Sequence, residues 1–313
     1  MVTEQIVKNC ANLLGIDKIG FFSVEPLQEC YEKLNERYQK GHVTGFERDV
    51  PEKRIDYHQY FAGAKMGIVF LLNYYQGFEE PKDINSRLKL SSMAWGQDYH
   101  QVLQEKGQAL MTALNEKLSE ADRIEYKIFV DNSGLVDRGS AYRAGLGFFG
   151  KNNCLINEDL GSFFFIGQIL LDQEIEFATK TVKESLCGAC RICIDACPTA
   201  ALGQNFSYDP RRCLSYLTQK KEIDASEEKY FKDYLYGCDL CQTRCPFNQH
   251  LRKTGEAAFL TQHDDKYPWP ETILNMSNRE FNSRFKKTSA GWRGKKNMVR
   301  NAKLIMKNRA IVI

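Results

Sequence analysis

The sequence predicts an α/β domain over residues 1–180, a cysteine-rich module over 181–250 and a short basic helical segment over 251–313. Three observations lead there. Strand-like and helix-like patterns alternate through the first part of the chain. Eight of the eleven cysteines fall between Cys187 and Cys245. Residues 251–313 carry a net charge of +9 in a chain whose net charge is +3, which leaves −6 on the rest. A length of 313 residues exceeds the roughly 100–200 of a usual single domain, so more than one domain is expected.

In chain order, residues 3–15 read as a helix with Ile6, Leu13 and Leu14 on one side. Residues 18–24 (KIGFFSV) read as a strand, and 26–42 as a charged helix with Pro26 near its start. Residues 43–60 show no period and read as loop with short turns. Residues 66–75 (MGIVFLLNYY) form an apolar run continuous enough for a strand buried on both faces. Leu103, Leu110 and Leu114 recur at near-helical spacing within 98–118. A strand at 126–131, a helix at 135–144 and a strand at 163–172 complete the alternation that indicates α/β. Beyond it, 208–220, 226–236 and 297–309 read as helical.

Composition excludes several classes. Hydrophobic content of 43% and charged content of 27% belong to a globular chain and not a disordered one. No apolar run approaches the roughly 18 residues that span a bilayer, and MVTEQIVKNC lacks the basic start and apolar core of a secretion signal. A cytoplasmic protein is expected, without membrane attachment. Disulfides are rare in that compartment, so the cysteines need another purpose.

Their spacing supplies it. Cys187-x2-Cys190-x2-Cys193-x3-Cys197-Pro198 is the bacterial ferredoxin run, in which three cysteines ligate one [4Fe–4S] cluster and the fourth crosses to another. Cys238-x2-Cys241-x3-Cys245-Pro246 has the same shape with one cysteine fewer, and Cys213 is the natural replacement. The crossing rule then gives Cys187, Cys190, Cys193 and Cys245 to one cluster and Cys197, Cys213, Cys238 and Cys241 to the other. Zinc is the competing metal for paired CxxC groups, but it does not account for the x2-x2-x3-Cys-Pro run. The module is therefore read as bis-[4Fe–4S] and ferredoxin-like. The basic tail suits a polyanion such as nucleic acid, or a solvated helical surface.

The cluster run resembles that of the epoxyqueuosine reductases. So do Arg212-Cys213-Leu214-Ser215-Tyr216-Leu217-Thr218, Tyr236-Gly237-Cys238-Asp239-Leu240-Cys241-Gln242, Val130-Asp131-Asn132-Ser133-Gly134 and the Arg143–Asn152 segment (RAGLGFFGKN). Ser277–Phe281 (SNREF) and Gly291–Lys296 (GWRGKK) continue the match, which covers nearly the whole chain. One departure is Asn132-Ser133, where a Thr-Gly pair is common. Another is the end of the chain at Ile313, where many members continue into a helical-repeat domain.

The resemblance implies reduction of an epoxide on a modified tRNA base to an alkene, the last step of queuosine formation. It implies electrons passed through the two clusters to cobalamin, and an external donor such as ferredoxin or flavodoxin. It implies Asp131 as proton donor and a cobalamin site lined by Arg54, Ser91, Asp131, Lys151, Asn152, Leu155, Ile166, Ser215, Asp239 and Leu240. A monomer is expected. By pattern alone Asp131 also suits the N-cap of the helix from Leu135. The glycines of 145–150 suit either close approach to a flat macrocycle or a simple connector. Asp98-Tyr99-His100 is a poor match to the cobalamin-binding Asp-x-His-x-x-Gly pattern, so His100 is read as an ordinary helix residue. In the tail, Trp292, Arg293, Lys295, Lys296 and Arg300 combine cations for phosphates with an aromatic for an unpaired base of the anticodon loop, unless Trp292 packs on the body. Arg279, Arg284, Lys286 and Lys287 add to that basic surface. The rivals are a reductive dehalogenase-like cobalamin enzyme acting on a small substrate and a plain ferredoxin-type electron carrier.

Overall fold

The computed structural model describes every residue except Met1, Thr179, Gln262 and Ile313. Its strands in chain order are β1 (Lys18–Ser23), β2 (Met66–Asn73), β3 (Lys89–Leu90), β4 (Tyr126–Phe129), β5 (Phe148–Phe149), β6 (Leu155–Ile156), β7 (Phe164–Leu171) and β8 (Tyr234–Tyr236). The chain divides into two compact units, residues 1–73 with 100–190 and residues 74–99 with 191–313.

The first unit is built on a four-stranded sheet in the order β1-β2-β7-β4. β2 lies between β1 and β7, and all eight of its residues are buried, as its unbroken apolar run requires. Every pairing in this sheet is antiparallel, for example Lys18 with Leu71 and Met66 with Leu171. The expected alternation of strand and helix is present, but it does not produce the parallel sheet that an α/β label implies. The connections carry the chain back beside the preceding strand in the opposite direction. One core of this unit joins Phe22, Val69, Leu71 and Leu170 of the sheet to Leu27 at the N-cap and Leu34 within the helix Gln28–Gln39 and to Ala141 of the helix Asp137–Arg143.

The second unit gathers the basic segment, most of the cysteine module and residues 74–99 around one core. β3 pairs in parallel with β8, Lys89 with Tyr234 and Leu90 with Tyr236. Leu88, Leu90 and Trp95 enter the same apolar cluster as Phe231, Leu235, Phe285 and Ile305. The helix Lys295–Val312 packs along β8. It is fastened by the buried Asn301 amide, which donates to the Thr218 carbonyl at 2.8 Å and the Leu235 carbonyl at 2.9 Å. Three sequence-based boundaries shift as a result. The break falls after Cys190 instead of near 180, residues 74–99 leave the first domain, and 251–313 has no core of its own. The helix expected over 226–236 is only Ala225–Glu228, because Tyr234–Tyr236 is drawn into a strand by Lys89–Leu90. Among the described residues no helix is long and apolar enough to cross a membrane.

Candidate functional site: cysteine module and Asp131 turn

Six of the eight expected cluster cysteines belong to the second unit. Cys193 lies on the short helix Ile192–Asp195 and Cys241 on Leu240–Thr243, and these two helices pack on each other. Cys245 follows, buried at 7% exposure. Cys197, Cys213 and Cys238 are within electrostatic reach of one another, three of the four ligands expected for the second cluster. Burial pushes the Cys213 and Cys238 thiols up; the Cys197 charge adds to both, and that of Cys213 to Cys238. Burial also pushes Cys197 up, but the Thr199 hydroxyl and the backbone N–H groups of Leu202, Thr199 and Ala201 outweigh it and hold this thiol below its ordinary value. Buried thiolates of this kind are sustained by a positively charged metal centre, so the donor set fits iron–sulfur ligation. Among the described residues no three His, Cys, Asp or Glu side chains converge tightly enough for a single metal ion; a cubane instead takes its four thiolates on four separate irons.

Cys187 and Cys190 belong to the first unit. The turn that carries them closes with the Cys190 N–H on the Cys187 carbonyl at 2.9 Å. β5 and β6 form a hairpin that the sequence reading missed, and its tip, 150–154, reaches this turn. Gly147 and Gly150 are taken up by that hairpin, and Gly145, at φ +68°, follows the helix Asp137–Arg143. A β-carbon on Gly147 would stand 2.4 Å from the Ile156 carbonyl oxygen, and one on Gly150 2.6 Å from Asn152 Oδ1. Their close approach is to their own chain.

Asp131 occupies the turn after β4. Its φ is +53°, a region where a residue with a β-carbon is held only by its surroundings and which often marks a functional position. The Asn132 N–H donates back to the Val130 carbonyl. The Asp131 carboxylate is 63% exposed, and its Oδ2 stands 3.6 Å from His100 Nε2. His100 lies in the first turn of the helix Tyr99–Asn115. It is a helix residue, as expected, but one turned toward the candidate acid. A cavity of about 360 Å³ beside them is lined by His100, Phe129, Val130, Asn132 and Ser133. Asp131 does not cap the next helix, whose N-cap is Val136 with no side-chain bond.

A buried chain runs toward this turn from beneath. The Ser140 hydroxyl donates to Gln168 Oε1 at 2.8 Å, so the Tyr57 hydroxyl, 2.9 Å from Ser140 Oγ, must be the donor to Ser140. Gln168 Nε2 in turn donates to Asp137 Oδ1. Tyr57, Ser140 and Gln168 are fully buried. Burial first, and then the charge of Asp131, push Asp137 up to about 7. Perturbed carboxyls concentrate at functional sites, and Asp137 is a residue that sequence reasoning overlooked. Its only local signal was a second acid six positions after the first.

The remaining expected cofactor positions fall in different surroundings. Arg54 is half-buried with Nε donating to the Gly134 carbonyl at 2.9 Å. Ile166 is the one residue of β7 that is not buried, an apolar opening in an otherwise covered strand. Leu155 is buried, as is Asn152, whose Oδ1 accepts the Cys154 N–H at 3.1 Å. In the second unit Ser91 and Asp239 face each other. The Ser91 hydroxyl donates to Asp239 Oδ1 at 2.5 Å and the Ser92 N–H to Oδ2 at 2.7 Å. Burial pushes Asp239 up to about 6 against these bonds. Leu240, the next residue, and Ser215, on the short helix Leu214–Leu217, are half-buried in the same unit.

The tail residues also separate. Trp292 is 52% exposed, donates from Nε1 to Gln219 Oε1 at 3.0 Å and carries the Arg293 guanidinium 3.7 Å from its ring centre. It is anchored at one edge and covered by Arg293 on one face. Lys296 is exposed, and Lys295 Nζ donates to the Met276 carbonyl at 2.7 Å. Arg300 braces the fold, with donors on the carbonyls of Lys220 at 2.7 Å and Lys221 at 2.6 Å and on Asn301 Oδ1. Arg284 is paired with Asp265 at 2.5 Å.

Comparison with known proteins decides among these readings. The profile of the 4Fe-4S double cluster binding domain matches residues 186–248, which include all eight cysteines, and that of epoxyqueuosine reductase QueG, DUF1730, matches residues 54–132. An epoxyqueuosine reductase from Bacillus anthracis is 36% identical over 97% of this chain and 80% of its own length. This chain belongs to the epoxyqueuosine reductase family. An epoxyqueuosine reductase from Listeria monocytogenes is 36% identical over 94% of the chain and 77% of its own length. The solved epoxyqueuosine reductase of Streptococcus thermophilus superposes with a TM-score of 0.89 at 33% identity, covering all of this chain and 84% of that one. A crystal structure of an epoxyqueuosine reductase with an epoxyqueuosine-modified tRNA-Tyr stem loop gives 0.90 at 32%, covering 97% and 81%. Epoxyqueuosine reductases are oxidoreductases, and the double-cluster domain supplies the redox centres.

Proposed function

We propose that this chain reduces epoxyqueuosine in the anticodon loop of a tRNA to queuosine. The observation that carries the reading is the Asp131 turn: an exposed carboxyl in a strained conformation, beside His100 and a cavity, within a chain of this family. Removing the epoxide oxygen as water consumes two electrons and two protons and leaves a carbon–carbon double bond. Asp131 delivers a proton to the departing oxygen, because an alkoxide is a poor leaving group until it is protonated. His100 orients the Asp131 carboxyl across their 3.6 Å separation.

The clusters take Cys187, Cys190, Cys193 and Cys245, and Cys197, Cys213, Cys238 and Cys241. Arg54 and Ile166, with Leu155, Asn152, Ser215 and Leu240, would hold cobalamin, which supplies a strongly reducing cobalt when bound; the buried Ser91–Asp239 pair would support that site from within the fold. The half-exposed apolar Ile166 and the half-buried Arg54 guanidinium suit a macrocycle with an apolar face and polar amide arms. Trp292, Arg293, Lys295 and Lys296 contact the tRNA, with Trp292 offering a stacking face and the cations neutralising phosphates. Arg300 supports them through Lys220 and Lys221. Electrons come from a low-potential donor such as ferredoxin or flavodoxin, and the protein acts as a cytoplasmic monomer.

The test is an anaerobic reaction of the cluster-reconstituted chain with cobalamin, a chemical reductant and an epoxyqueuosine-modified stem loop, followed by mass analysis of the nucleoside. Loss of one oxygen is expected. An intact epoxide, in the presence of both clusters and a visible spectrum of bound cobalamin, would sink the reading.

A further inference from the structure

At the tip of the β5–β6 hairpin, Lys151 makes three described hydrogen bonds to the Cys187–Cys190 turn. The Lys151 backbone N–H donates to the Cys187 sulfur at 3.5 Å, within range for a bond to sulfur. Its ammonium donates to the Gly188 carbonyl at 2.6 Å and the Cys190 carbonyl at 2.9 Å. Gly188 is held at φ +47° between them. The resemblance marks Lys151 for cobalamin, yet its described bonds go to the cysteine turn.

We infer that Lys151 is a positioning residue for the cluster ligated by Cys187 and Cys190 and raises that cluster's reduction potential above what the four thiolates alone would set. The inference rests on the two-cluster reading. A thiolate-ligated cubane becomes more negative when it takes an electron. A hydrogen bond to a ligand sulfur and a fixed cation both favour the more negative state, and net charge and hydrogen bonds to sulfur are the levers by which a protein sets cluster potential. The ammonium also ties two carbonyls of the turn together, which fixes the spacing of the two sulfurs. The described bonds of Lys151 go to the turn that carries two ligands of this cluster, so a change at Lys151 acts on this cluster directly.

The experiment is an anaerobic potentiometric titration of the full chain, followed by electron paramagnetic resonance, with iron content measured alongside. The variants are Lys151→Met, Lys151→Gln and Lys151→Arg. In both neutral variants one of the two midpoint potentials falls by about a tenfold change in the oxidised-to-reduced ratio, about 59 mV for one electron, and the other stays in place. Lys151→Arg, which keeps the charge, stays close to wild type. Neutral variants with full iron and unshifted potentials would overturn the inference. So would loss of iron in both neutral variants with retention in Lys151→Arg, which would make the residue a brace and nothing more. Cys187→Ser separates the two failures: if it leaves the iron content and both signals unchanged, the ligand assignment itself has failed.

Discussion

Two aspartates stand at positions that the sequence marks for the same site, and the structure gives them opposite surroundings. Asp131 is exposed, sits at positive φ and has an imidazole within 3.6 Å. Asp239 is 1% exposed, with the Ser91 hydroxyl on one oxygen and the Ser92 amide on the other. The first is arranged to meet something from outside at a cost in backbone strain. The second is satisfied from within and joins residues 91–92 to the start of the helix Leu240–Thr243. Occurrence in a family motif therefore does not separate chemistry from construction; exposure, strain and hydrogen-bond satisfaction do.

Substitution breaks the comparison at either end. Asp131→Asn removes the proton while keeping the shape, and turnover of epoxyqueuosine stem loop falls by about 10²–10⁴, with a melting temperature within about a degree of wild type, since the side chain is largely exposed and the amide keeps its place beside His100. Asp239→Asn turns a donor toward one of two buried donors. It costs about 1–3 kcal/mol, seen as a lower melting temperature, while turnover per folded molecule changes less than for Asp131→Asn. The reverse pattern, with Asp239→Asn silent in melting and Asp131→Asn destabilising, would invert the assignment.

The tail offers exposed charge without strain, an intermediate case. Reversal at Lys295 and Lys296 together weakens stem-loop binding by about tenfold at low salt, and the difference shrinks as salt rises because it reflects phosphate neutralisation. Unchanged affinity would remove these residues from the interface.

The smallest effect concerns Asp137, the carboxyl between the two extremes. Its value rises from 3.8 to about 7 on folding, so the folded state holds a proton that the unfolded state has lost. That contribution to stability is full below about pH 4 and disappears as pH rises through about 7. Asp137→Asn keeps an acceptor for Gln168 and removes the titration. Its melting temperature relative to wild type should climb by about 2–4 °C between pH 5 and pH 8. A difference that is flat with pH would show that Asp137 titrates normally.

Much of this was legible in the sequence because it was local. The eight buried residues of β2, the helix around Leu103 and Leu110 and the cysteine spacing are all written within short windows. What failed was non-local. Tyr234–Tyr236 becomes a strand only because Lys89–Leu90 lies beside it. The antiparallel order of β1, β2, β7 and β4 depends on how the connections return, which periodicity does not record. His100 reads as a plain helix residue until the fold brings Asp131 to it, and Arg300 reads as a phosphate ligand until Lys220 and Lys221 claim it. Two-residue strands such as β5 and β6 leave no period to detect, so Lys151 could not be tied to the cysteine turn in advance.

The most direct test of the central claim measures single-turnover conversion of an epoxyqueuosine-modified stem loop by wild type, Asp131→Asn and Asp239→Asn, all with matched iron and cobalamin content. Wild type and folded Asp239→Asn should release the epoxide oxygen, and Asp131→Asn should leave the epoxide intact on that timescale. Conversion by Asp131→Asn within a few-fold of wild type would contradict the account.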